Sequence, residues 1–359
     1  MNPAGLKISH PGHPDLSSST ARMRILFIKP KHIGDTLLLT PTLRGIHQNY
    51  PDAEIWTIVR AGCEGILRGC PFIHRIKTVA AVGRDERGSG SWKNDLRLWF
   101  ELRKISFDYL FELGDGHRGR WLALIARADR KYSVLPANQW SKFWPGKFTG
   151  ISTFNWQTCH RIEKDYYSVG EFLKLPKERP RLEFDRSSAM EWPQANGLGS
   201  FAMIQIGSRQ KHKKWSLERW QSVAGYLLER FGAVVASTGP DPDEVAFAEQ
   251  LGSRVGPRLL LTRGQATWSQ MAGLFYRASL VVTVDTAAMH LASACQCPTI
   301  ALFARSIEDH WSPWNGPCRI VTVPEFRHRS GDQKQHEEIK ERAITRIRAE
   351  DVIAACQGF

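Results

Sequence analysis

The stretch Leu280-Val281-Val282-Thr283-Val284-Asp285-Thr286-Ala287-Ala288-Met289-His290-Leu291 decides the fold. Five apolar or β-branched residues form a strand with no polar face, and the chain then runs straight into the helical stretch Thr286–Ala294. A strand buried on both faces and followed at once by a helix belongs to a parallel sheet covered on both sides. At such a junction the free N–H groups and the positive end of the helix dipole suit an anion. Asp285 itself repels phosphate, so sugar hydroxyls or backbone amides are its expected partners. His290, one turn into the helix, can equally be a core histidine.

The same succession recurs along the chain. Candidate strands are Arg24–Lys29, Glu54–Val59, Arg75–Val79 and Phe107–Leu113, then Phe201–Ile206, Ala233–Ser237, Leu280–Val284, Thr299–Phe303 and Arg319–Val323. Helical patterns at Thr36–Asn49, Arg118–Ala128, Leu217–Phe231 and Thr286–Ala294 separate them. This is strand–helix alternation given twice, an α/β class of two doubly wound lobes. The break falls in Lys174–Gly199, where Pro176, Pro180, Pro193 and Asn196-Gly197 read as linker chemistry. The expected organisation is a tail at 1–22, one lobe at 23–180, a second at 181–335 and a closing helix at 336–359, with a cleft at the strand ends of both lobes. The closing pattern, Glu337–Cys356, carries Ile344, Ile347, Val352 and Ile353.

Composition excludes several classes. With 42% apolar and 24% charged residues over 359 positions, the chain is neither disordered nor fibrous. No stretch approaches the ~20 apolar residues that span a bilayer. Residues 1–22 lack the roughly 7–15-residue apolar run of a secretory signal. Seven scattered cysteines make no disulfide framework, and Cys295-Gln296-Cys297 is poor spacing for zinc, so buried thiols in a reducing, cytoplasmic setting are expected. Charge is lopsided: residues 1–190 hold 30 Lys and Arg against 19 Asp and Glu, a net +11, whereas 191–359 hold 19 against 17, a net +2. The first half is therefore expected to meet something anionic, or simply to be soluble.

Two further loops carry chemistry. Lys29-Pro30-Lys31-His32-Ile33-Gly34-Asp35-Thr36 follows the first strand, where Gly34 suits a tight turn and Asp35 is either a helix cap or a general base. Ser208-Arg209-Gln210-Lys211-His212-Lys213-Lys214-Trp215 follows the first strand of the second lobe; four cations and a hydroxyl there suit a diphosphate. Gly114-Asp115-Gly116-His117-Arg118-Gly119 spells a dinucleotide fingerprint, but it follows the fourth strand and lacks the acidic residue expected ~20 positions on. Asp241-Pro242-Asp243 resembles a metal-holding carboxylate pair and more simply starts a helix. No nucleic-acid-binding module accompanies the basic half. Among 13 tryptophans, Trp140, Trp144 and Trp156 lie beside Lys142, Lys147 and Arg161, a mixture that suits acidic sugars as well as a core edge.

Taken jointly, these blocks resemble the heptosyltransferases of lipopolysaccharide core synthesis, inverting glycosyltransferases of the GT-B fold. Lys29 with Gly34-Asp35, Lys213-Lys214-Trp215, Asp285-Thr286-Ala287-Ala288-Met289-His290-Leu291 and Trp311-Ser312-Pro313-Trp314 match the family's ordered motifs, and the likeness runs from about Met23 to Gln357. The resemblance implies ADP-heptose as donor, a nascent lipopolysaccharide inner core as acceptor, no cofactor and no metal. By position it makes Asp35 the base, and Ser208, Lys213, Asp285, Thr286 and His290 the donor-binding set. Lys31, Arg60, His117, Arg118 and Lys164 are the acceptor-side candidates, and the basic lobe is expected to face acceptor phosphates or the anionic inner membrane. Ala287 stands where many relatives have Gly, and Phe303-Ala304-Arg305-Ser306 where they have Phe-Gly-Pro-[Ser/Thr], departures that bear on the donor sugar. The Ala-Met-His pattern is more similar to the branch adding a later, branching heptose. Another nucleotide sugar as donor, or a non-catalytic protein that binds anionic saccharide, are the alternatives.

Overall fold

A computed structural model describes residues 22–80, 92–114, 116–134, 143–208, 210–303, 308–323 and 344–359. The chain divides into two compact units, Met1–Pro180 and Arg181–Phe359. The first is built from β1 (Arg24–Lys29), α1 (Ile33–Leu38), α2 (Thr40–Asn49), β2 (Glu54–Arg60), β3 (Arg75–Val79), α3 (Trp92–Lys104), β4 (Ser106–Glu112), α4 (His117–Ile125), β5 (Arg127–Ser133), β6 (Gly150–Ile151) and α5 (Arg161–Gly170). Its sheet is parallel, in the order β3-β2-β1-β4-β5-β6.

The second unit repeats the plan with β7 (Ala202–Gln205), α6 (Leu217–Phe231), β8 (Val234–Ser237), α7 (Pro242–Val255), β9 (Leu259–Leu261), α8 (Trp268–Arg277), β10 (Leu280–Val284), α9 (Ala287–Ala294), β11 (Thr299–Phe303), α10 (Glu308–Trp311), β12 (Cys318–Thr322) and α11 (Ala349–Cys356). The order β12-β11-β10-β7-β8-β9 is the same winding seen from the other edge. Each sheet reverses direction beside its first strand, between β1 and β4 and between β7 and β10. Those two reversal points are where open α/β sheets bind ligands, just outside the carboxyl ends of the strands.

Both faces of the first sheet are covered, which explains why its central strands are apolar throughout. Leu98, Leu102 and Leu122 from α3 and α4 pack with Leu26, Ile28 and Leu110 on one face. Leu43, Ile46 and Val169 from α2 and α5 pack with Ile25, Phe27 and Phe111 on the other. In the second unit Trp220, Leu227 and Leu251 meet Ile204, Val234 and Val282.

Several boundaries differ from the sequence reading. The predicted helix Thr36–Asn49 breaks at Leu39, because Pro41 lacks an N–H and its ring excludes a continuous turn; Thr40 Oγ1 instead donates to Leu37 O at 2.8 Å. The helix predicted over Arg118–Ala128 ends at Ile125. Ala126 turns extended and β5 begins, a strand masked in the sequence because Arg127, Asp129 and Lys131 line one face and Arg130 the other. Gly34 is not a turn residue: it lies inside α1 and is absent from the positive-φ glycines. The segment Lys174–Gly199 is no loose tether either. Leu182 N donates to Asn315 Oδ1 (2.7 Å), Met190 N donates to Ser269 O (2.9 Å), and Tyr276 Oη donates to Phe184 O. A Cβ on Gly273 would lie 2.0 Å from Met190 O, so this strap needs a glycine beneath it. Of the predicted closing helix, α11 and a 3-10 turn at Ile344–Arg346 are observed, and positions 337–343 lie outside the described residues, as does the tail at 1–21.

Candidate active site

The reversal point of the second unit holds the donor-side candidates. β7 leads through Gly207 and Ser208 into a 3-10 turn, Lys211–Lys213, and then to α6, which Ser216 caps by accepting Arg219 N at 3.4 Å. Trp215 is buried, stacks edge-on against Trp220 with centroids 5.0 Å apart, and donates from Nε1 to Ile347 O at 3.0 Å. That anchor explains the Lys-x-Trp spacing: it fixes the loop so that Lys213 reaches across to β10. Lys213 Nζ donates to Asp285 Oδ2 (2.7 Å) and to Asp285 O (2.9 Å). Asp285 was expected to meet hydroxyls or amides. Its carboxylate also has a cation as partner, which offsets the charge that would repel a phosphate.

Beside this pair, Thr286 occupies the N-cap of α9 in an extended conformation without capping the helix, and its Oγ1 is buried with no hydrogen-bond partner. The first N–H groups of α9 are therefore left without a side-chain cap, which suits an anion. Ser208 Oγ accepts from Gln210 N at 3.2 Å. His290 is buried on α9 with its ring 6.4 Å from Trp311. Of the four predicted cations, Lys213 enters the site, Lys214 is exposed, and Arg209 and the Lys211 side chain lie outside the described residues, as do Ala304, Arg305 and Ser306. Asp241 caps α7 by accepting Asp243 N (3.0 Å) and Glu244 N (3.4 Å), so its carboxylate works as a cap. Sequence reasoning missed Glu244, a buried carboxylate that accepts Gly239 N at 2.9 Å beneath the ends of β7 and β8. A Cβ on Gly207 would lie 2.0 Å from its Oε2.

At the reversal point of the first unit, Lys29 ends β1 and pairs with Asp165 of α5, both fully buried. His32 is the N-cap of α1, with no side-chain cap. Asp35 lies in the first helical turn, is partly exposed, and makes no hydrogen bond or ion pair among the described residues. The cap reading of Asp35 is thereby set aside, and a free carboxylate at a strand–helix junction is left.

Glu112, ending β4, is completely buried and accepts Gly114 N (2.9 Å) and Ser133 Oγ–H (2.7 Å). A Cβ on Gly119 would lie 2.3 Å from Glu112 Oε1. The apparent dinucleotide fingerprint therefore makes room for a protein carboxylate. A lone glutamate closing an apolar strand was the signal for it; Asp165 carried no such signal.

The acceptor-side candidates divide. Lys31 and Arg60 follow β1 and end β2, with the Lys31 carbonyl accepting Cys63 Sγ–H at 3.5 Å. His117 opens α4 with its ring 6.0 Å from Trp144. Lys164 is buried, with Nζ 4.5 Å from the centre of Trp156, over which Arg161 also lies at 5.1 Å. Arg118 is committed elsewhere, to Asp95 of α3 at 2.7 Å. Trp140 and Lys142 lie outside the described residues. The close cysteine pair is buried: burial pushes the Cys297 thiol up to about 12 and raises that of Cys295 as well.

Two doubly wound parallel units of the same winding, each with polar groups gathered at its reversal point, define the GT-B class of glycosyl-transferring enzymes. The heptosyltransferase WaaC of E. coli, solved with ADP-2-deoxy-2-fluoro heptose, superposes with a TM-score of 0.75 at 17% identity, covering 94% of this chain and 99% of that one. A glycosyl transferase family 9 protein from Veillonella parvula DSM 2008 gives 0.75 at 19% identity, covering 94% and 96%. In sequence, lipopolysaccharide heptosyltransferase 3 of Escherichia coli (strain K12) is 27% identical over 348 residues, 91% of this chain and 95% of the relative. Residues 96–341 match glycosyltransferase family 9 (heptosyltransferase), and the chain belongs to that family.

Proposed function

We propose that the protein transfers heptose from ADP-L-glycero-D-manno-heptose to the inner core of nascent lipopolysaccharide, with inversion and without a metal. The observation that carries this is the Lys213–Asp285 pair beside the uncapped start of α9. It offers a diphosphate one cation, a buried hydroxyl on Thr286 and a set of backbone N–H groups. Asp35 is the candidate base. Its carboxylate takes the proton of the acceptor hydroxyl while that oxygen bonds to the anomeric carbon. The bond from that carbon to the diphosphate oxygen breaks on the opposite face, and ADP leaves with the electron pair. Lys213 and the α9 dipole stabilise the charge arriving on ADP, the part a divalent ion would otherwise play. His290 and Ser208 complete the donor-side set, and the basic first unit takes the anionic acceptor through Lys31, Arg60, His117 and Lys164.

The Ala288-Met289-His290 pattern supports a later, branching heptose as the one added, and a lipopolysaccharide heptosyltransferase 3 is among the similar proteins. On this reading the protein works in the cytoplasm, against the membrane that carries the acceptor. Among the described residues no helix is long and apolar enough to cross a membrane. Calorimetric titration with ADP, ADP-heptose, UDP-glucose and NAD in EDTA tests the reading. Selective binding of ADP and ADP-heptose supports it. Preference for another nucleotide sugar moves the donor, and silence towards all four favours a non-catalytic saccharide-binding protein.

A further inference from the structure

We propose that the outer face of α3 and α4 in the first unit is a docking surface for an anionic lipid bilayer. α3 is amphipathic in an unusual sense. Its inner face buries Leu98 and Leu102, while its outer stripe, at helical spacing, carries Leu96, Trp99 (42% exposed) and Phe100 (66% exposed). Arg103 lies on that same stripe, one turn beyond Trp99 and Phe100, with Arg97 and Lys104 along one flank, all exposed.

The stripe continues onto α4. Arg103 and Trp121 (51% exposed) line one open depression of about 590 Å³, with Arg127 and Lys131 on its wall against a single acid, Asp129. Trp121 in turn contacts Phe143 (49% exposed) at 6.3 Å between centroids, and Lys147 lies 5.3 Å from the centre of the Phe143 ring. Large exposed aromatics grouped in this way mark an interaction surface. Indole and phenyl rings interleaved with Arg and Lys, and with few acids, fit the headgroup layer of an anionic bilayer, where rings lodge at the acyl boundary and cations meet phosphate. The nearby acid Glu101 is already held by Lys77 at 2.7 Å. Charge complementarity therefore commits the surface to lipid.

The purpose of the surface, to bring the first unit to a lipid-borne acceptor, rests on the proposed function, but its measurement does not. Binding of the full chain to sedimenting vesicles is measured without donor or acceptor. The wild type is expected to bind phosphatidylglycerol-containing vesicles, to release them with rising salt, and to leave pure phosphatidylcholine vesicles unbound. Trp99→Ser with Phe100→Ser, and separately Arg103→Glu with Lys104→Glu, should each weaken binding roughly tenfold or more while leaving transfer to a delipidated soluble acceptor and the Tm unchanged. Failure of the wild type to bind anionic vesicles overturns the proposal, as does retention of full binding by both variants. A wild-type dimer that becomes monomeric in the variants, without vesicle binding, assigns the face to a second copy and also overturns it. A raised KM for the soluble acceptor with unchanged vesicle binding assigns the face to saccharide and overturns the proposal in the same way.

Discussion

Each unit holds a lysine–aspartate pair at the reversal point of its sheet, and the two pairs differ in their access to water. Lys29 and Asp165 keep 4% and 1% of their side-chain surface exposed, whereas Lys213 and Asp285 keep 16% and 8%. A sealed pair cannot exchange a partner for a ligand, and its loss leaves an uncompensated buried charge. A pair open at one edge can lend its cation to an incoming anion. The same two residue types thus hold a fold together in one unit and, on the proposed function, receive a substrate in the other. Net charge follows the division: Met1–Pro180 carries +11 and Arg181–Phe359 carries +2.

The comparison can be tested at its strongest point first. Asp35→Asn should lower the transfer rate by roughly 10²–10⁴-fold while leaving the donor Kd unchanged. A steady-state assay with calorimetry on the same preparation checks this, and undiminished turnover removes Asp35 as base. Asp165→Ala should cost about 3–5 kcal/mol of stability by stranding the Lys29 ammonium. Urea unfolding followed by circular dichroism reads that loss.

Lys213→Ala should weaken ADP binding by about 1.5–3 kcal/mol, the range of a charge-assisted hydrogen bond, with a smaller effect on the urea midpoint than Asp165→Ala has. If the two variants destabilise equally, the distinction between sealed and open pairs fails. Asp241→Ala should be the mildest, costing about 0.5–2 kcal/mol through the lost cap on α7, with transfer in EDTA unaltered. A fall in activity restored by a divalent ion would return Asp241 to the site.

Much of this arrangement was legible in the sequence. The strands at the two reversal points, β1, β4, β7 and β10, are apolar runs followed by polar loops, and their positions came within a residue or two. The loops that carry Lys213 and Asp285 were legible too, since each follows such a strand. β5 was not, because a sheet's outer strands carry charged side chains that erase the alternation. β6 and β9 are two and three residues long, too short for any period to register. The pairing of Asp285 with Lys213 was not legible, since nothing local couples positions 213 and 285; adjacency of β7 and β10 does. Glu244 was overlooked for a related reason. A glutamate in the first turn of a helix reads as dipole complement, and only the glycines above it reveal that it is buried.

The Glu112 carboxylate under Gly114 and Gly119 bears on how glycine-rich strings are searched for. Two glycines there shield a negative charge the protein supplies itself, and a second anion in the same cradle would be repelled. The glutamate two places ahead of the first glycine is thus a discriminating letter. A pattern that requires an uncharged residue at that position would pass genuine phosphate cradles and reject look-alikes of this kind from the string of residues alone.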